Sequence, residues 1–549
     1  MRQSALIAAA AATGVLAGAG AWWSLRGDAG PRTAAERYLA AWARDDYTAM
    51  RALVDAPPAD FVARHARTRT DLGASRWRFA LTGLDEPGAG RAVGSYRAEI
   101  TLEGGRVWTY RAELPLLRRD GRWRVSWSPR VLHPALKEGQ RLRTRRRRPE
   151  RADILSASGE SLLGHPSGSV QQLLGRLGTL SAAQARRLGA PYREGDLAGL
   201  SGLQHQYERR LAGRPELAVQ IVTDAGGAVT AVKTLHTFPA QEGAPLRTTI
   251  DLRAQEAAVR ALKDVTDPVS LVAVRASTGE VLAVANKPGG YNRALMGRYP
   301  PGSTFKIVTA AALVAGGMSP SSPVPCPARA TVAGREFRNF GHEDHGTVSL
   351  REAFARSCNT AFARLAVERL GAERLRETAR TFGFDTPLIG GLPAVRASVG
   401  AADDGAALAA AALGQGRVLV SPLTMAAVAA AAADGFWRSP RLVSADDAAR
   451  ALDAEGRRPE PPRRLEPGVA EALRDLMSAV VDEGTAAGAG LPPGTAGKTG
   501  TAEHGSGEEP PHSWFVGHRG DVAFAVLVEG GGTGAEAAAP IAARFLTGL

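Results

Sequence analysis

The segment Tyr299-Pro-Pro-Gly-Ser303-Thr-Phe-Lys306 decides what kind of domain this chain contains. Its two prolines and its glycine interrupt the chain, and residues 305–314 after them are apolar and helix-forming. We therefore expect Ser303 and Lys306 at the start of a helix, where residues three apart share a face. A serine needs a base within hydrogen-bond reach to act as a nucleophile. A lysine that burial and neighbouring cations keep neutral can serve as that base.

Two further patterns supply polar groups for the same chemistry. Ser357-Cys-Asn359 offers a hydroxyl that can relay a proton and an amide that can orient a substrate. Lys498-Thr-Gly-Thr501 is predicted on an edge strand, where Gly500 lets another backbone approach closely. A serine three residues before one of the six lysines arises by chance about 0.3 times per chain, whereas all three patterns in this order arise roughly once in a thousand chains.

The residues around these patterns predict an α/β domain over 246–549. A buried hairpin is expected over 271–285, with Ser-Thr-Gly at its turn. Residues 513–516 and 522–528 supply two more apolar strands. The chain of 549 residues is too long for one compact core, so further units are expected before this domain.

Two smaller units are predicted upstream. Residues 31–130 combine helical apolar spacing over 34–54 with period-2 alternation over 96–102 and 108–114, which indicates an α+β unit. We see no catalytic constellation there and interpret it as a spacer or binding domain. Residues 131–245 form the second unit, with a hairpin predicted over 154–162 and a helix over 201–213, again without catalytic spacing.

Charge and cysteine content narrow the function classes. The net charge is +13, and the densest cluster is Arg141-Leu-Arg-Thr-Arg-Arg-Arg-Arg148. Without a recognisable binding module, we do not interpret it as a nucleic-acid site. We predict a solvated linker, with attraction to anionic lipid or wall polymer as the alternative. Two cysteines exclude a disulfide-rich scaffold. The adjacent residues of 342–345 (His-Glu-Asp-His) cannot easily converge on one ion, so we predict no metal site.

The N-terminus predicts the compartment. Residues 5–23 contain no charge and are long enough for a membrane helix, followed by Arg26 and Asp28. We predict a single-pass anchor within 1–28, and a cleaved signal peptide is the alternative. Under either interpretation the rest of the chain lies outside the cytoplasm, at the cell membrane if the anchor is retained.

The motifs resemble the transpeptidase domain of class B penicillin-binding proteins of the actinobacterial type. The resemblance rests on the three patterns above and on Leu413-Gly-Gln-Gly416, Glu483-Gly-Thr-Ala486, the extension Gly497–Glu503 and Trp514-Phe-Val-Gly517. Residues 31–130 resemble an NTF2-like domain, and residues 131–245 resemble the pedestal, or dimerisation, domain. The implied architecture is multidomain: an N-terminal membrane helix, an α+β NTF2-like domain, a pedestal domain and an α/β serine transpeptidase domain of β-lactamase-like fold.

The resemblance also implies roles and partners. Ser303 is the acylated nucleophile, Lys306 its base, and Ser357 a proton relay to the leaving amine. Asn359 binds the stem-peptide backbone, and Lys498 supplies positive charge. Thr499, Gly500 and Thr501 bind substrate, with the hydroxyls of the two threonines receiving its carboxylate. The backbone N–H groups of Ser303 and Thr501 form an oxyanion hole. The implied reaction cross-links peptidoglycan stem peptides without a cofactor and is inhibited by β-lactam antibiotics, and a glycosyltransferase is a possible partner.

Several alternatives stay open on the sequence. The same serine would serve a D,D-carboxypeptidase or a β-lactamase, since the choice between amine and water as acceptor depends on geometry. A β-lactam sensor or scaffold of a cell-wall complex would also keep these residues. Cys326 and Cys358 are either bridged or free buried thiols, and Cα atoms more than roughly 7 Å apart would exclude the bridge.

Overall fold

The computed structural model describes residues 30–225, 228–388, 391–453, 458, 460–504 and 509–549. The predicted anchor within 1–28 lies outside these residues. Within the described part of the chain, no helix has both the length and the apolar character that a membrane span requires. The fold divides into two compact units. Unit 1 takes the described residues up to Glu150, Leu180–Asp196 and Gly213–Glu242; unit 2 takes Arg151–Thr179, Leu197–Ala212 and Gly243–Leu549. The interval 131–245, which we predicted as one domain, is thus shared between both units.

Unit 1 begins with three helices packed on a five-stranded sheet. The helices are Pro31–Ala43, Tyr47–Ala52 and Phe61–Leu72. The strands follow the spatial order Val54–Asp55, Arg122–Ser126, Val107–Arg119, Arg91–Thr101 and Arg76–Gly88. Buried aromatic side chains such as Trp42 and Tyr96 fill the core. The predicted helix over 34–54 is two helices, because Asp45 takes a φ of 59° and Asp46 caps the second helix through Ala49 N.

A second sheet of unit 1 corrects the prediction for the arginine run. Gln140–Arg147 is a strand paired antiparallel with Glu216–Ala225, which pairs in turn with Ala228–Phe238. The run is therefore not a linker. Leu142 is buried with Leu217 in the unit 1 core, which is the inward half of a period-2 pattern. Unit 1 also contains the helices Pro129–Leu132 and Ala182–Leu188.

Unit 2 contains a second five-stranded sheet. Its spatial order is Val281–Lys287, Val269–Arg275, Val522–Val528, His512–Arg519 and Thr495–Ala502, all neighbours antiparallel. The predicted hairpin over 271–285 and the two predicted C-terminal strands are confirmed. Thr495–Ala502 is an edge strand, as the sequence predicted for the Lys498 motif.

Helices cover this sheet, and the helix Pro422–Asp434 packs on its inner strands with an almost wholly buried surface. The predicted helix over 201–213 is broken at Tyr207 into two short helices, and the predicted hairpin over 154–162 is reduced to one bridge between Leu155 and Ser161. The other helices of unit 2 are Gly168–Leu174, Gly202–Gln206, Glu208–Ala212, Leu252–Ala261, Arg293–Met296, Lys306–Ala315, Leu350–Ala355, Asn359–Leu365, Gly371–Thr381, Gly405–Ala412, Ala445–Asp453, Val469–Asp482 and Ala539–Thr547.

Short strand pairs complete unit 2. They are Ile154–Leu155 with Leu246–Arg247, Leu177–Thr179 with Leu197–Gly199, Pro323–Pro325 with Thr347–Ser349, Arg329–Val332 with Arg335–Arg338, and Phe436–Trp437 with Arg463–Arg464. The pair Arg329–Arg338 precedes the segment that carries Ser357 and Asn359 and contributes a backbone contact to the site described below.

Candidate active site

The nucleophile turn is a short 3-10 helix, Gly302–Phe305, that runs into the helix Lys306–Ala315. Gly302 has a φ of 53°, and a Cβ atom there would lie 2.5 Å from the carbonyl oxygen of Thr501. Only glycine suits this close approach between the turn and the edge strand. Ser303 is half-buried whereas Lys306 is fully buried, so the nucleophile can be reached from solvent and its neighbour cannot.

Lys306 Nζ has four oxygen neighbours. Two are pure acceptors, the carbonyl oxygen of Ser357 and Oδ1 of Asn359, each at 2.7 Å. Two are hydroxyls, Oγ of Ser303 at 3.1 Å and Oγ of Ser357 at 3.2 Å. A neutral amine has two N–H donors and one lone pair. The two acceptors take the two hydrogens, which leaves the lone pair for a hydroxyl proton.

The charge state of Lys306 agrees with this geometry. Burial lowers its pKa well below 10.5, and repulsion from Lys498 lowers it further. Within the described residues, no carboxylate forms an ion pair with Lys306. The ring of Phe362 lies 5.6 Å from Nζ and adds to the apolar surroundings. The site therefore presents an amine that can accept a proton from Ser303.

The turn that carries Ser357 has an unusual backbone. Ser357 takes a φ of 59°, a left-handed conformation that costs on the order of 1 kcal/mol for a residue with a side chain. Cys358 then caps the helix Asn359–Leu365. The strained turn directs both the carbonyl and the hydroxyl of Ser357 to Lys306 Nζ. Such strain at a site of converging polar groups is typical of functional positions.

Asn339 organises this region, although no sequence pattern predicts a role for it. Its Oδ1 accepts from the backbone N–H groups of Asn359 (2.9 Å) and Thr360 (3.2 Å). Its Nδ2 donates to the carbonyl oxygens of Pro327 and Glu343. Scarcity was the one available signal, because Asn339 is one of four asparagines. The spacing of 20 residues to Asn359 carries no recognisable pattern.

Cys326 and Cys358 are joined by a disulfide, with their Cα atoms 6.2 Å apart. This settles the alternative left open above in favour of the bridge. Both cysteines are buried, and Asn339 Nδ2 lies 3.4 Å from Cys326 Sγ. The bridge therefore connects the Ser357 turn to the same loop that Asn339 contacts.

The edge strand Thr495–Ala502 forms the opposite wall. A Cβ atom on Gly500 would lie 2.8 Å from Cγ2 of Thr304 and 3.0 Å from the carbonyl oxygen of Pro301. The strand thus lies directly against the nucleophile turn. Lys498 is fully buried, donates to the carbonyl oxygen of Thr499 at 3.2 Å, and has the ring of Phe354 at 5.6 Å.

Burial lowers the pKa of Lys498 to about 7, so near neutral pH it is partly charged. Thr499 Oγ1 lies 2.6 Å from Oγ1 of Thr485, a second residue for which the sequence predicts no role. Thr501 is half-buried. The predicted site residues therefore lie on three segments that adjoin one another.

The side chain of Asn359 is already engaged within the protein. The side-chain amide of Asn359 already has protein partners, since Oδ1 accepts from Lys306 and Nδ2 donates to the carbonyl oxygen of Arg338 at 3.0 Å. Binding of a substrate backbone by Asn359 thus stays a prediction. In the 342–345 loop, His345 Nε2 lies 3.3 Å from Glu343 Oε2, and the described residues contain no group of three or more His, Cys, Asp or Glu arranged to hold a metal ion.

Family models match three consecutive parts of the chain. The penicillin-binding protein transpeptidase domain matches residues 269–547, which is more than half of the chain. The NTF2-like N-terminal transpeptidase domain matches residues 30–140, and the penicillin-binding protein dimerisation domain matches residues 165–248. The order of the three domains is the one that the sequence motifs predicted.

Relatives and solved structures give the same assignment. The chain is 36% identical over 349 residues to the peptidoglycan D,D-transpeptidase PbpA of Mycolicibacterium smegmatis, covering 54% of this chain and 71% of the relative. It resembles the ceftriaxone acyl-enzyme complex of penicillin-binding protein A from Mycobacterium tuberculosis (33% identity, TM-score 0.50, 56% of this chain and 80% of that one).

A second structure of that mycobacterial protein covers more of the chain. It matches at 28% identity with a TM-score of 0.56, over 73% of this chain and 99% of that one. The resemblance predicted from the sequence is thereby confirmed, and so is the multidomain architecture after the N-terminus. The chain belongs to the penicillin-binding protein transpeptidase family, as a class B serine transpeptidase with NTF2-like and dimerisation domains.

Proposed function

We propose that this chain is a peptidoglycan D,D-transpeptidase that forms an acyl-enzyme on Ser303. The observation that carries the proposal is the environment of Lys306 Nζ: two carbonyl acceptors at 2.7 Å occupy its hydrogens, and the Ser303 hydroxyl lies at 3.1 Å. A base held in this way can take a proton from the nucleophile and return it later. The activity named for the mycobacterial relative supports the same assignment.

Acylation follows from these contacts. Neutral Lys306 accepts the Ser303 hydroxyl proton while Oγ attacks the carbonyl carbon of the D-alanyl-D-alanine bond. The backbone N–H groups of Ser303 and Thr501 stabilise the oxyanion of the tetrahedral intermediate. When the C–N bond breaks, the proton passes from Lys306 through Ser357 Oγ, which lies 3.2 Å away, to the departing amine of D-alanine.

Deacylation uses the same groups in reverse. The amine of a second stem peptide attacks the ester carbon and loses a proton to Lys306 through the Ser357 hydroxyl. The C–O bond to Ser303 then breaks, Ser303 Oγ recovers the proton from Lys306, and a new peptide bond remains. A β-lactam acylates Ser303 by opening of its ring, and its leaving amine stays attached to the acyl group.

Recognition of the substrate falls to the edge strand and to Asn359. Protonated Lys498 attracts the terminal carboxylate, which the hydroxyls of Thr499 and Thr501 receive. Gly500 keeps the strand flat against the nucleophile turn, so that an extended substrate can lie beside it. Asn359 then exchanges one of its present contacts for the stem-peptide backbone.

The proposal includes a location and partners. An anchor within 1–28 would hold both units outside the cytoplasm at the cell membrane, where stem peptides and β-lactams are accessible. Cross-linking of new strands needs a glycosyltransferase that supplies them, and we place such an enzyme among the partners. Neither cofactor nor nucleic acid takes part.

The test is intact-protein mass spectrometry over time with benzylpenicillin, using wild type, Ser303→Ala and a Ser319→Ala control on an exposed surface serine. We expect a long-lived adduct on wild type and control and none on Ser303→Ala. Adduct formation by Ser303→Ala at wild-type stoichiometry would refute the nucleophile. Rapid loss of the adduct would favour a hydrolase. A donor pentapeptide with an amine acceptor then separates a transpeptidase, which forms the new amide, from a sensor, which does not.

A further inference from the structure

The arginines of the run divide into ion-paired and unpaired residues; Arg141 shares the outward face of the strand, whereas Arg146 lies on the inward face. Arg141 and Arg146 are largely buried and ion-paired within unit 1, Arg141 with Asp71 and Asp224, and Arg146 with Glu103 and Asp196. Arg148, just after the strand, also pairs with Asp196. These three arginines are neutralised by carboxylates and help to hold unit 1 together.

The other three arginines form a row on the outward face. Arg143, Arg145 and Arg147 are exposed, and among the described residues none of them has an ion pair or a side-chain hydrogen bond. Residues two apart on a strand are about 6.6 Å apart and point to the same side. The opposite face, with Leu142, is buried in the unit 1 core, so this row is turned away from the unit.

The cross-strand neighbours of the row determine its local positive potential. Arg143 lies opposite Gln220 and Arg145 opposite Ala218, neither of which is charged. Arg147 lies opposite Glu216, whose carboxylate reduces the local positive potential. Arg143 and Arg145 are therefore the stronger positions of the row.

We infer that the row Arg143, Arg145 and Arg147 binds the anionic phospholipid headgroups of the cell membrane, an inference that rests on the anchored location proposed above. Guanidinium groups bind phosphate through paired N–H donors, and each basic residue near an anionic surface strengthens its attraction. The predicted anchor explains why lipid is the occupant. Seven residues, 24–30, separate it from the first helix at Pro31, which is at most about 25 Å of extended chain. Such an anchor would hold unit 1 close to the lipid surface.

The experiment places a fluorophore on the sheet face that carries the arginine row. Thr237 is exposed and lies opposite Ala218, hence on the side of Arg145. The two native cysteines are bridged, so Thr237→Cys in the full chain gives a unique labelling site.

Energy transfer to a headgroup-labelled lipid is measured in phosphatidylcholine vesicles with and without phosphatidylglycerol. The variant is Arg143→Gln, Arg145→Gln, Arg147→Gln, and the control removes three other exposed arginines of unit 1, Arg122, Arg186 and Arg187, by the same change.

We expect higher transfer in anionic vesicles than in neutral ones, where the anchor alone keeps unit 1 near the lipid. The triple variant should weaken the contact by roughly a hundredfold in equilibrium constant, about fivefold per arginine, and the control should not. High salt should reduce the wild-type signal. Equal transfer for wild type and triple variant overturns the proposal. If the row instead affects only binding of soluble poly(glycerol phosphate), the occupant is a wall polymer and the lipid assignment is wrong. Unchanged acylation and melting temperature exclude a folding defect.

Discussion

The two lysines of the site are both fully buried, but they are held very differently. Lys306 Nζ contacts two hydroxyls and two carbonyl oxygens from three residues. Among the described residues, Lys498 Nζ has a hydrogen bond to one backbone oxygen, that of Thr499. Lys306, which is proposed to exchange protons, is positioned by these four contacts. Lys498, which is proposed to supply positive charge, needs only to lie close to the substrate carboxylate. Burial lowers the pKa of both lysines, whereas their hydrogen-bond partners distinguish the proposed base from the proposed electrostatic contact.

Replacing Lys306 should have the largest effect. In Lys306→Met the Ser303 hydroxyl loses its proton acceptor, and we expect acylation by fluorescent penicillin to slow by roughly 10²- to 10⁴-fold. Stopped-flow or quench measurement of the acylation rate constant checks this. Lys263→Met, at an exposed position of unit 2, is the control and should acylate normally. A Lys306→Met rate within tenfold of wild type would show that another group is the base.

A substitution that moves the edge strand away from the nucleophile turn should have the second-largest effect on acylation. In Gly500→Ala the new methyl group would lie 2.8 Å from Cγ2 of Thr304, which is fully buried and cannot move aside. We expect acylation to fall by roughly a hundredfold, since displacement of about 1 Å at a reacting centre has this effect, and unfolding free energy to fall by about 1–3 kcal/mol. Gly289→Ala, which meets open space, is the matched control. Normal acylation by Gly500→Ala would mean that the two segments are not held in register for catalysis.

Replacing Lys498 should have the third-largest effect on acylation. Lys498→Met removes the positive charge but leaves the base and its partners, so we expect acylation to fall by roughly tenfold. The same substitution should change the pH dependence of stability. The folded-state pKa of Lys498, about 7, lies below the ordinary 10.5, so the unfolded chain binds this proton more tightly.

The sign of that pH effect follows from linkage. The stability penalty of Lys498 is fully present below about pH 7 and is lost as the pH rises towards 10.5. We expect Lys498→Met to exceed wild type in unfolding free energy by a few kcal/mol at acid pH, and the difference to shrink with rising pH. Denaturant titrations of both proteins across this range give the measurement. A difference that is constant with pH would show that Lys498 titrates at its ordinary pKa.

The sequence predicts features that depend on neighbouring residues and misses those that depend on distant ones, for physical reasons. Ser303 and Lys306 are three residues apart, so local helix geometry alone brings them together. The hairpin over 271–285 and the strands near 515 and 525 are continuous apolar runs, which burial on both faces explains. Asn339 and Thr485 act through contacts with residues 20 and 14 positions away, and no local pattern reveals such contacts.

The arginine run was misinterpreted because its side chains conceal the strand period. Inward Arg146 is neutralised by Glu103 and Asp196, so a charged residue occupies an inward position of the strand. The carboxylates that make this possible are 43 and 50 residues away. Contacts between residues that are distant in sequence also divide the interval 131–245 between the two units. The amino-acid composition gives no indication of this division.

Removing the disulfide should have the smallest effect on the acylation rate constant and the largest on the unfolding free energy. Its closed loop spans 32 residues, and loss of the crosslink should lower the unfolding free energy by about 3–4 kcal/mol on the chain-entropy model. The variant Cys326→Ser, Cys358→Ser suits the test, because a serine at 358 can still cap the helix that begins at Asn359. We expect acylation to change only a few-fold, since Ser357 and Asn359 keep their contacts with Lys306 and Asn339 keeps the backbone of Asn359. Denaturant unfolding and the acylation rate constant are measured on the same preparation, with reduced wild type in parallel. A loss of acylation as large as that of Lys306→Met, at a temperature where the variant is folded, would show that the bridge, rather than the contacts of Lys306 and Asn339, positions the Ser357 turn.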